Sequence, residues 1–479
     1  MSAEAISIDT SDLRAEAIKF GDDPNEYFGR SEANMHQVSR EDLDALHLEL
    51  LKYRFEDLVE KIPMLKKLSA KQGIDKIESL DDVVPLLFEH TMYKAYPPFL
   101  LEQNRFADIN KFISKLTCVD ISHVDVSHCD SIESWLDVLD NETDLYLALS
   151  SGTSGTMSFI PASRREWSKR FTQVASLLRD RSEGGVIDDL VMINPYFKDG
   201  GPMRAMPHMV KDVLGGDESR YIVAFDERLN VDVLYLTGRI RSAKAKGKLD
   251  SLEVSPALLR RLKEFEEHQR NIPRLLGEFF ERIYEECKGK RLYFSGPWSN
   301  LHKWATQGLE KGLEGVFASD SYVQSGGGSK GVTPPDNWED DVCRFVGIDQ
   351  LHMAYGMQEV FTLNYKCDHE HYHLSPVSIP YVLDAYTSRP LPRTGRQTGR
   401  AAFFDVGAET RWGGFITGDE ITVNWDDECP CGRKSAFIEG GIQRFSEKQG
   451  GDDKITCAAT ASAHEEAMEY LTKIEGGGA

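Results

Sequence analysis

A short apolar segment that runs directly into a loop of serine, threonine and glycine constrains this chain more than any other feature. Residues 144–148 have the pattern of a short buried strand, and six of the eight residues at 149–156 are Ser, Thr or Gly. Such a loop can present several backbone N–H groups to a phosphate chain, because glycine permits close approach and positive φ. No Lys-Ser or Lys-Thr follows its second glycine, so it is not a Walker A loop. The loop is either a phosphate-binding loop or a flexible surface loop.

Length and composition predict a large globular protein. The 479 residues suffice for two or three lobes, and the hydrophobic fraction of 41% is ordinary for such a protein. The net charge of −22 argues against a nucleic acid or an anionic membrane surface as the principal partner, because both would be repelled. We find neither an apolar run of membrane-spanning length nor a signal-peptide pattern, so the expected location is cytoplasmic.

The order of the predicted elements is typical of an α/β fold. The first 142 residues are expected to be mostly helical, with one helix that begins after Ser39 as its N-cap. Further helices are expected at 164–181 and 256–289. Strands are expected at 189–194, 221–225, 231–236, 400–405 and 418–424.

Three later segments carry residues suited to a nucleotide. Gly326, Gly327 and Gly328 leave room for a flat ring such as a purine, although an exposed loop has the same composition. Tyr355 can stack on a base, and Glu359 can bind a Mg²⁺ ion on phosphate oxygens. Asp419 follows Thr-Gly and suits a ribose diol, but an aspartate there is as often a turn residue.

Cysteine and histidine residues in two segments suggest a zinc site. Together they offer four soft or borderline ligands, which suits tetrahedral structural zinc. Which histidine binds stays open, and the Cys-x-Cys spacing is tighter than usual, so free buried thiols with surface histidines are the alternative. The residues concerned are Cys367, His369, His371 and His373 in one segment and Cys429 and Cys431 in the other.

The order of these motifs resembles the adenylate-forming acyl-activating superfamily. Ser-Ser-Gly-Thr-Ser-Gly, Tyr-Gly-Met-x-Glu, Thr-Gly-Asp and Cys-Pro-Cys-Gly-Arg follow one another along the chain. The sequence looks most like the branch of phenylacetate–CoA ligases and the acyl-protein synthetase of bacterial bioluminescence, over residues 85–457. The resemblance implies an acyl-CoA synthetase-like α/β domain at 143–430 with the ATP and acid sites, a helical region at 1–142 packed on it, and a short or vestigial C-terminal segment at 431–479.

The resemblance also implies a role for individual residues. The ATP β- and γ-phosphates would be held by Ser151, Gly152, Thr153, Ser154 and Gly155. The adenine would be bordered by Gly326, Gly327 and Gly328 and contacted by Tyr355, Gly356 and Met357. Glu359 would bind Mg²⁺, and Asp419 would hold the ribose hydroxyls. The family's zinc site would map to Cys367, His373, Cys429 and Cys431.

The departures from the superfamily pattern are also informative. Ser158 stands where many members have a lysine, and Lys330 is the nearest candidate substitute. The motif that normally has arginine before aspartate is irregular and offers Arg444. Only 26 residues follow Asp453, where typical members have a mobile C-terminal domain with a catalytic lysine. In the acyl-protein synthetase branch a cysteine near the C-terminus receives the acyl group, and Cys457 lies at the matching place, although a small apolar core residue would look the same.

The expected function is ATP-dependent activation of a carboxylic acid to an acyl-adenylate. The acyl group would then pass to a thiol of CoA, of a carrier or partner protein, or of Cys457. The acid pocket is expected between segments 194–208 and 294–298. An amide-forming ligase on the same scaffold and a non-catalytic nucleotide-binding partner in a biosynthetic complex are the alternatives. The sequence does not distinguish among acids or acceptors.

Overall fold

The described residues fall into two compact units, each with its own β-sheet. The structure, a computed structural model, describes residues 8–150, 156–182, 185–245, 247, 256–326 and 333–445. The parallel-sheet unit comprises Phe171–Gly356 and Leu363–Lys366. The mixed-sheet unit comprises the described parts of Ser2–Arg170, Met357–Thr362 and Cys367–Ala479. The chain therefore crosses between units inside the motif that starts at Tyr355. The domain limits expected from the sequence stay predictions.

Helices make up most of the chain before residue 143 and recur between the strands that follow. They are α1 (Leu13–Asp22), α2 (Pro24–Tyr27), α3 (Glu32–Met35), α4 (Arg40–Leu58), α5 (Pro63–Gln72), α6 (Phe99–Glu102), α7 (Phe106–Ile113), α8 (Ile132–Glu142), α9 (Arg164–Asp180), α10 (Met206–Leu214), α11 (Val231–Ala245), α12 (Pro256–Glu286), α13 (Trp298–Glu310) and α14 (Trp338–Val346). Helix α4 begins where the sequence predicts, because the Ser39 hydroxyl accepts a hydrogen bond from the Asp42 N–H at 3.1 Å. None of the helices in the described ranges combines the length and the apolar character that a membrane span requires.

The strands form two larger sheets and one hairpin. They are β1 (Phe88–Glu89), β2 (Ala148–Leu149), β3 (Phe159–Ile160), β4 (Val191–Gly200), β5 (Tyr221–Leu229), β6 (Leu292–Gly296), β7 (Tyr322–Gly326), β8 (His352–Tyr355), β9 (Asn364–Tyr365), β10 (Tyr372–His373), β11 (Ser378–Leu383), β12 (Arg396–Asp405), β13 (Gly414–Asn424), β14 (Phe437–Ile438) and β15 (Gln443–Arg444). The predicted α/β fold is confirmed by these sheets with their helices.

In the parallel-sheet unit the strand order is β5-β4-β6-β7-β8-β9, and all neighbours are parallel except β9. Parallel strands need helices on their faces, and α12, α13 and α14 supply a buried aromatic layer around Trp304. Helices α13 and α14 approach closely because Gly308 faces Phe345. A Cβ at Gly308 would lie 2.0 Å from that ring.

In the mixed-sheet unit the strand order is β10-β14-β13-β12-β11, and β1 and β15 also pair with β13. Strand β1 is parallel to β13, whereas the other pairs are antiparallel. Helix α4 packs on this unit's sheet through Phe55, whose ring centroid lies 6.3 Å from that of Trp412. The central strand β13 thus pairs with strands from distant parts of the described chain, β1 near residue 88 and β15 near residue 443.

The strand predicted at 231–236 is wrong, because these residues begin helix α11. Asn230 is the N-cap, and its side-chain oxygen accepts a hydrogen bond from the Val233 N–H at 3.1 Å. The alternating apolar pattern favoured a strand, but the cap and the residues after Leu236 extend the segment as a helix of 15 residues.

Candidate active site and metal centre

The carboxyl edge of the parallel sheet has a switch point between β4 and β6. Strand β4 pairs with β5 on one side and with β6 on the other, so successive connections leave in opposite directions. Ligands of open α/β sheets bind in the crevice at such a point. The two segments expected to form the acid pocket include the carboxyl ends of these strands. Asn300, two residues after the second segment, donates a hydrogen bond from Nδ2 to the Tyr196 hydroxyl of the first segment at 2.5 Å.

Gly326 and Tyr355 end neighbouring strands at the same edge. Gly326 of β7 pairs with Ala354 of β8, and a Cβ on Gly326 would lie 2.9 Å from the Ala354 carbonyl oxygen. Close packing of the two strands therefore requires glycine at this position. Tyr355 is buried and pairs with Asn364 of β9. The other predicted residues of the glycine turn, Gly327, Gly328 and Lys330, lie outside the described residues.

The predicted phosphate loop lies between the strands of the β2–β3 hairpin. Ala148 pairs with Ile160 and Leu149 with Phe159. The Ser150 N–H donates to the Ser158 carbonyl oxygen at 3.4 Å and extends the hairpin by one rung, and the Ser158 N–H donates to the Ser150 hydroxyl oxygen at 3.0 Å. The residues predicted to contact phosphate, Ser151, Gly152, Thr153, Ser154 and Gly155, lie outside the described residues, as does Cys457.

The segment that carries Glu359 is held at two points of its main chain. Arg411 Nη2 donates to the Glu359 carbonyl oxygen at 3.2 Å, and the Phe361 N–H donates to Asp405 Oδ2 at 3.0 Å. The Arg411 guanidinium also lies over the Phe361 ring, 4.9 Å from its centroid. The turn between β12 and β13 therefore fixes the backbone around the predicted magnesium ligand.

Arg411 belongs to a buried ion triad with Glu166 and Asp405. Its Nη1 lies 3.0 Å from Glu166 Oε1 and its Nη2 lies 2.6 Å from Asp405 Oδ2, and all three side chains are almost wholly buried. Glu166 also accepts from the Thr410 hydroxyl at 2.6 Å, and Asp405 accepts from the Gly407 N–H at 3.0 Å. Removing one partner of such a network typically costs about 3–5 kcal/mol, because a buried charge is left uncompensated. Sequence reasoning missed the triad.

Glu359 itself is half-buried among cations. Burial raises the pKa of its carboxyl group, whereas Lys94, Arg444 and Arg411 act to lower it. Positive side chains beside this predicted magnesium ligand are of the kind that pair with a polyphosphate. Lys94 was missed in the sequence, where a single lysine next to tyrosine carries no distinguishing pattern.

Asp419 lies inside strand β13 and not in a turn, which corrects the turn alternative. Arg400 pairs with Glu420, but Ala402 pairs with Ile416, so residues 417–419 oppose Ala401 alone. An irregularity of this kind redirects side chains that strict alternation would place elsewhere. Asp419 Oδ1 lies 3.4 Å from Arg444 Nε of β15, so the structure brings these two predicted residues together.

A buried ion pair braces this irregularity. Arg400 Nε donates to the Thr417 carbonyl oxygen at 2.6 Å, and Arg400 Nη2 lies 2.8 Å from Glu89 Oε2 of β1. Glu89 lies on the strand that runs parallel to β13. The surroundings of Asp419 therefore depend in part on Glu89, which lies 330 positions earlier in the chain, and no local motif indicates this contact.

The four predicted zinc ligands meet in the mixed-sheet unit. The ligand atoms of Cys367, His373, Cys429 and Cys431 all lie within 4.8 Å of one another. Cys367 Sγ lies 3.7 Å from Cys429 Sγ, and Cys431 Sγ lies 3.1 Å from His373 Nε2. His371 is near as well, with Nδ1 at 3.3 Å from Cys429 Sγ, and its ring stacks on Phe437.

This donor set fits a tetrahedral zinc ion. Zinc–sulfur bonds of about 2.3 Å place two thiolates of a tetrahedral site about 3.8 Å apart, close to the 3.7 Å between Cys367 and Cys429. Burial raises the pKa of Cys429 to about 12, and burial together with His36 lowers the pKa of His373 to about 2. The imidazole is therefore neutral, as a ligand must be, and the Cys429 thiol needs a nearby cation to ionise. Three cysteines and one histidine form a closed, structural type of site.

No protein-family model and no curated protein match this chain. Among solved structures it is similar to an open conformation of 2-hydroxyisobutyryl-CoA ligase in complex with 2-HIB-AMP and CoA, with 14% identity and a TM-score of 0.47 over 85% of this chain and 70% of that one. ATP-bound MatB from Rhodopseudomonas palustris is similar at 12% identity and a TM-score of 0.33, over 62% of this chain and 47% of that one. Amide bond synthetase McbA from Marinactinospora thermotolerans is similar at 15% identity and a TM-score of 0.34, over 62% of this chain and 49% of that one. The chain spans about half the length of the last two, and at these scores none of the three assigns a family or an activity to it.

Proposed function

We propose that this protein uses ATP to activate a carboxylic acid as an acyl-adenylate and then passes the acyl group to a thiol. The run from Tyr355 to Phe361 supports the proposal most. Tyr355 ends a strand at the ligand-binding edge of a parallel sheet. Four residues later the Glu359 main chain is fixed by Arg411, and Asp405 fixes Phe361. The resemblance to the adenylate-forming superfamily assigns a purine contact and a magnesium ligand to Tyr355 and Glu359.

The proposed nucleotide contacts follow the chemistry of each group. Asp419 accepts hydrogen bonds from the two ribose hydroxyls, since a carboxylate offers two acceptor oxygens. The adenine lies against Gly326, Gly327 and Gly328 and contacts Tyr355, Gly356 and Met357. The β- and γ-phosphates are held by Ser151, Gly152, Thr153, Ser154 and Gly155.

Adenylation is an in-line displacement. A carboxylate oxygen of the acid attacks the α-phosphorus, the new O–P bond forms as the bond to the bridging oxygen breaks, and pyrophosphate leaves. Catalysis is then mainly positioning and charge neutralisation. We assign the neutralising charges to Lys330, Arg444 and Lys94. Mg²⁺ bound by Glu359 would neutralise phosphate charge.

In the transfer step the acceptor thiolate attacks the acyl carbonyl carbon of the adenylate. A C–S bond forms, the C–O bond to phosphate breaks, AMP leaves, and the thiol proton goes to solvent. The acceptor is CoA, a carrier-protein thiol or Cys457. Zinc held by Cys367, His373, Cys429 and Cys431 would order their loops and takes no part in the chemistry.

The proposed acid is apolar. The switch-point segments carry Phe197, which packs on Phe225 with ring centroids 5.0 Å apart, and Trp298. Tyr196 precedes Phe197 in the chain, and burial raises the pKa of its hydroxyl to about 12, so the group stays a neutral hydrogen-bonding group. Such a lining favours an aliphatic or aryl chain over a charged one.

Carboxylate-dependent ATP–pyrophosphate exchange across aliphatic, aryl and amino acids tests the first step. We expect exchange with at least one acid, and its loss in Glu359→Gln. The matched control is Glu439→Gln, which removes a carboxylate paired with Arg396 at 2.6 Å on the surface and should keep wild-type exchange. Measurable ATP binding without exchange for any acid would contradict the ligase proposal and favour a non-catalytic nucleotide-binding protein.

The acceptor is tested by product analysis with CoA and with amines, the two acceptor classes that the names of the similar solved structures suggest. We expect a thioester. An amide product without a thioester would reassign the protein as an amide-forming ligase. Intact mass after incubation with ATP and the acid shows whether Cys457 carries the acyl group, and unchanged turnover of Cys457→Ala would remove this residue from the mechanism.

A further inference from the structure

The N-terminal residues 32–37 contact the loop that carries two of the zinc ligands. The Lys434 N–H donates to the His36 carbonyl oxygen at 2.8 Å, and Gln37 Nε2 donates to the Gly432 carbonyl oxygen at 3.3 Å. Arg433 Nη2 lies 3.2 Å from Glu32 Oε2. Helix α3 and its C-cap therefore form one wall of the loop that follows Cys431.

A chain of buried polar groups runs from this wall to a zinc ligand. His36 Nε2 lies 2.8 Å from Glu32 Oε1, and His36 Nδ1 lies 2.7 Å from Ser435 Oγ. Ser435 Oγ in turn lies 3.1 Å from His373 Nδ1. The side chains of His36 and Glu32 are 2% and 3% exposed, so water does not compete for the bond between them, whereas Ser435 is half-buried.

The chemistry of each group sets the direction of every hydrogen bond in the chain. An ionised carboxylate only accepts, so His36 Nε2–H donates to Glu32. A neutral imidazole with its proton on Nε2 has an acceptor at Nδ1, so the Ser435 hydroxyl donates to His36. The remaining lone pairs of Ser435 Oγ accept from His373 Nδ1–H. His373 Nε2 is then left without a proton, and this is the atom 3.1 Å from Cys431 Sγ.

The same order follows from the other end of the chain of hydrogen bonds. Nε2 of His373 lies 3.1 Å from Cys431 Sγ, so a ring that binds a metal at Nε2 carries its proton on Nδ1 and donates it to Ser435 Oγ. The opposite order would demand a proton on the carboxyl of Glu32, which also faces the Arg433 guanidinium.

We propose that Glu32, His36 and Ser435 form a hydrogen-bond relay that selects Nε2 of His373 as the metal-binding nitrogen. The inference rests on the proposed zinc site and goes beyond it, because it assigns a role to residues that bind no metal. They are positioning residues, which hold the ring of His373 in one tautomer and one orientation. Partners of this kind typically change metal affinity by about 10–100-fold when removed.

The test measures the zinc dissociation constant of the full-length protein by competition with a chromophoric chelator. We expect Ser435→Ala and His36→Phe to weaken zinc binding by about 10–100-fold. Ser435→Thr keeps a hydroxyl at the same place and should restore the affinity. In the Co²⁺-loaded protein, the visible spectrum of Ser435→Ala should lose the signature of an imidazole ligand, and that of Ser435→Thr should keep it.

A matched control separates the relay from general loosening of helix α3. Ser31→Ala removes the N-cap of that helix, where Ser31 Oγ accepts from the Asn34 N–H at 3.2 Å, and should leave the zinc dissociation constant unchanged. Wild-type affinity and spectrum in both Ser435→Ala and His36→Phe would overturn the relay while the zinc site stands. Failure of the wild-type protein to take up either zinc or cobalt would overturn the zinc site and the relay together.

Discussion

The mixed-sheet unit contains two polar clusters, the Arg411 triad and the cysteine–histidine cluster, and they differ in how their charges are balanced. In the triad, the Arg411 guanidinium is paired with Glu166 and Asp405 at 3.0 and 2.6 Å, so the polypeptide supplies both signs of charge. In the cysteine–histidine cluster each of the four residues offers one metal-ligating atom, and burial raises the pKa of Cys429 to about 12. The first cluster is complete in the chain alone, whereas the second, under the proposed zinc site, is completed by a cation. The triad should therefore respond to mutation and the cluster to metal supply.

The largest effect is expected from Arg411→Ala. It leaves the carboxylates of Glu166 and Asp405 buried without their guanidinium, and the free energy of unfolding should fall by about 3–5 kcal/mol. Denaturant unfolding measures this change. Arg396→Ala is the control, since its pair with Glu439 at 2.6 Å is exposed and is worth about 0–1 kcal/mol. Equal losses of unfolding free energy in Arg411→Ala and Arg396→Ala would show that the triad stabilises the protein no more than an exposed ion pair does.

His47 is a third case, a buried titratable group with neither a paired charge nor a metal. Its Nε2–H donates to the Pro376 carbonyl oxygen at 2.7 Å, and burial lowers its pKa to about 4. Below the unfolded pKa of about 6.5, His47 binds a proton in the unfolded chain but stays neutral in the folded chain. The free energy of unfolding therefore falls as the pH drops from about 6.5 to about 4. The loss should be roughly 3 kcal/mol.

The measurement is the free energy of unfolding between pH 7 and pH 4 for the wild type and for His47→Gln. Glutamine can still donate to the Pro376 carbonyl but does not titrate, so the variant should lose less stability over this window. Parallel pH profiles of the two proteins would contradict a neutral His47.

Zinc removal should have the next largest effect. When free zinc exceeds its dissociation constant a hundredfold, binding to the folded state stabilises it by about 2.7 kcal/mol, and a chelator should abolish this gain. Thermal unfolding with zinc or chelator measures the difference. Cys429→Ser should remove the zinc dependence, whereas Cys343→Ser, in the other unit, should keep it. If a chelator leaves the thermal unfolding of the wild type unchanged, the cysteine–histidine cluster, like the triad, needs no metal for its stability.

Asp405→Asn tests the smallest change. The amide keeps the shape but sets an N–H₂ group against the donors of Arg411, Phe361 or Gly407, and one unsatisfied group costs about 1–3 kcal/mol. Because Asp405 also fixes the Glu359 segment, ATP–pyrophosphate exchange should fall more steeply than stability. Unfolding and exchange assays on the same preparation compare the loss of stability with the loss of exchange. An unchanged exchange rate would show that Asp405 has no influence on the function of Glu359.

The same comparison explains what the sequence predicts well. Cysteine and histidine are scarce here, at 8 and 13 residues, so two short segments rich in them are visible as one ligand set. The triad draws on 134 charged residues, and Arg411 and Glu166 are 245 positions apart, so no local pattern connects them. Arg411 and Glu166 differ from the other charged residues only in their tertiary contacts, which the sequence does not display.

Local signals also decide which elements are predictable. Ser39 marks the start of α4 because a cap depends on adjacent residues only. The segment after Asn230 alternates like a strand, although Asn230 caps it as a helix. The position of Asp419 depends on a shift in pairing with β12, which is fixed only when the sheet assembles.

The contacts between His36 and Ser435 also set an order of events during synthesis, since the two residues are 399 positions apart. At about 5–20 residues per second, helix α3 leaves the ribosome roughly 20–80 s before its partner loop exists. During that interval Glu32 and His36 have no Ser435 or Arg433 to bind. The N-terminal residues therefore cannot take their final place until almost all of the described chain has been translated, and the proposed zinc site cannot be completed before then.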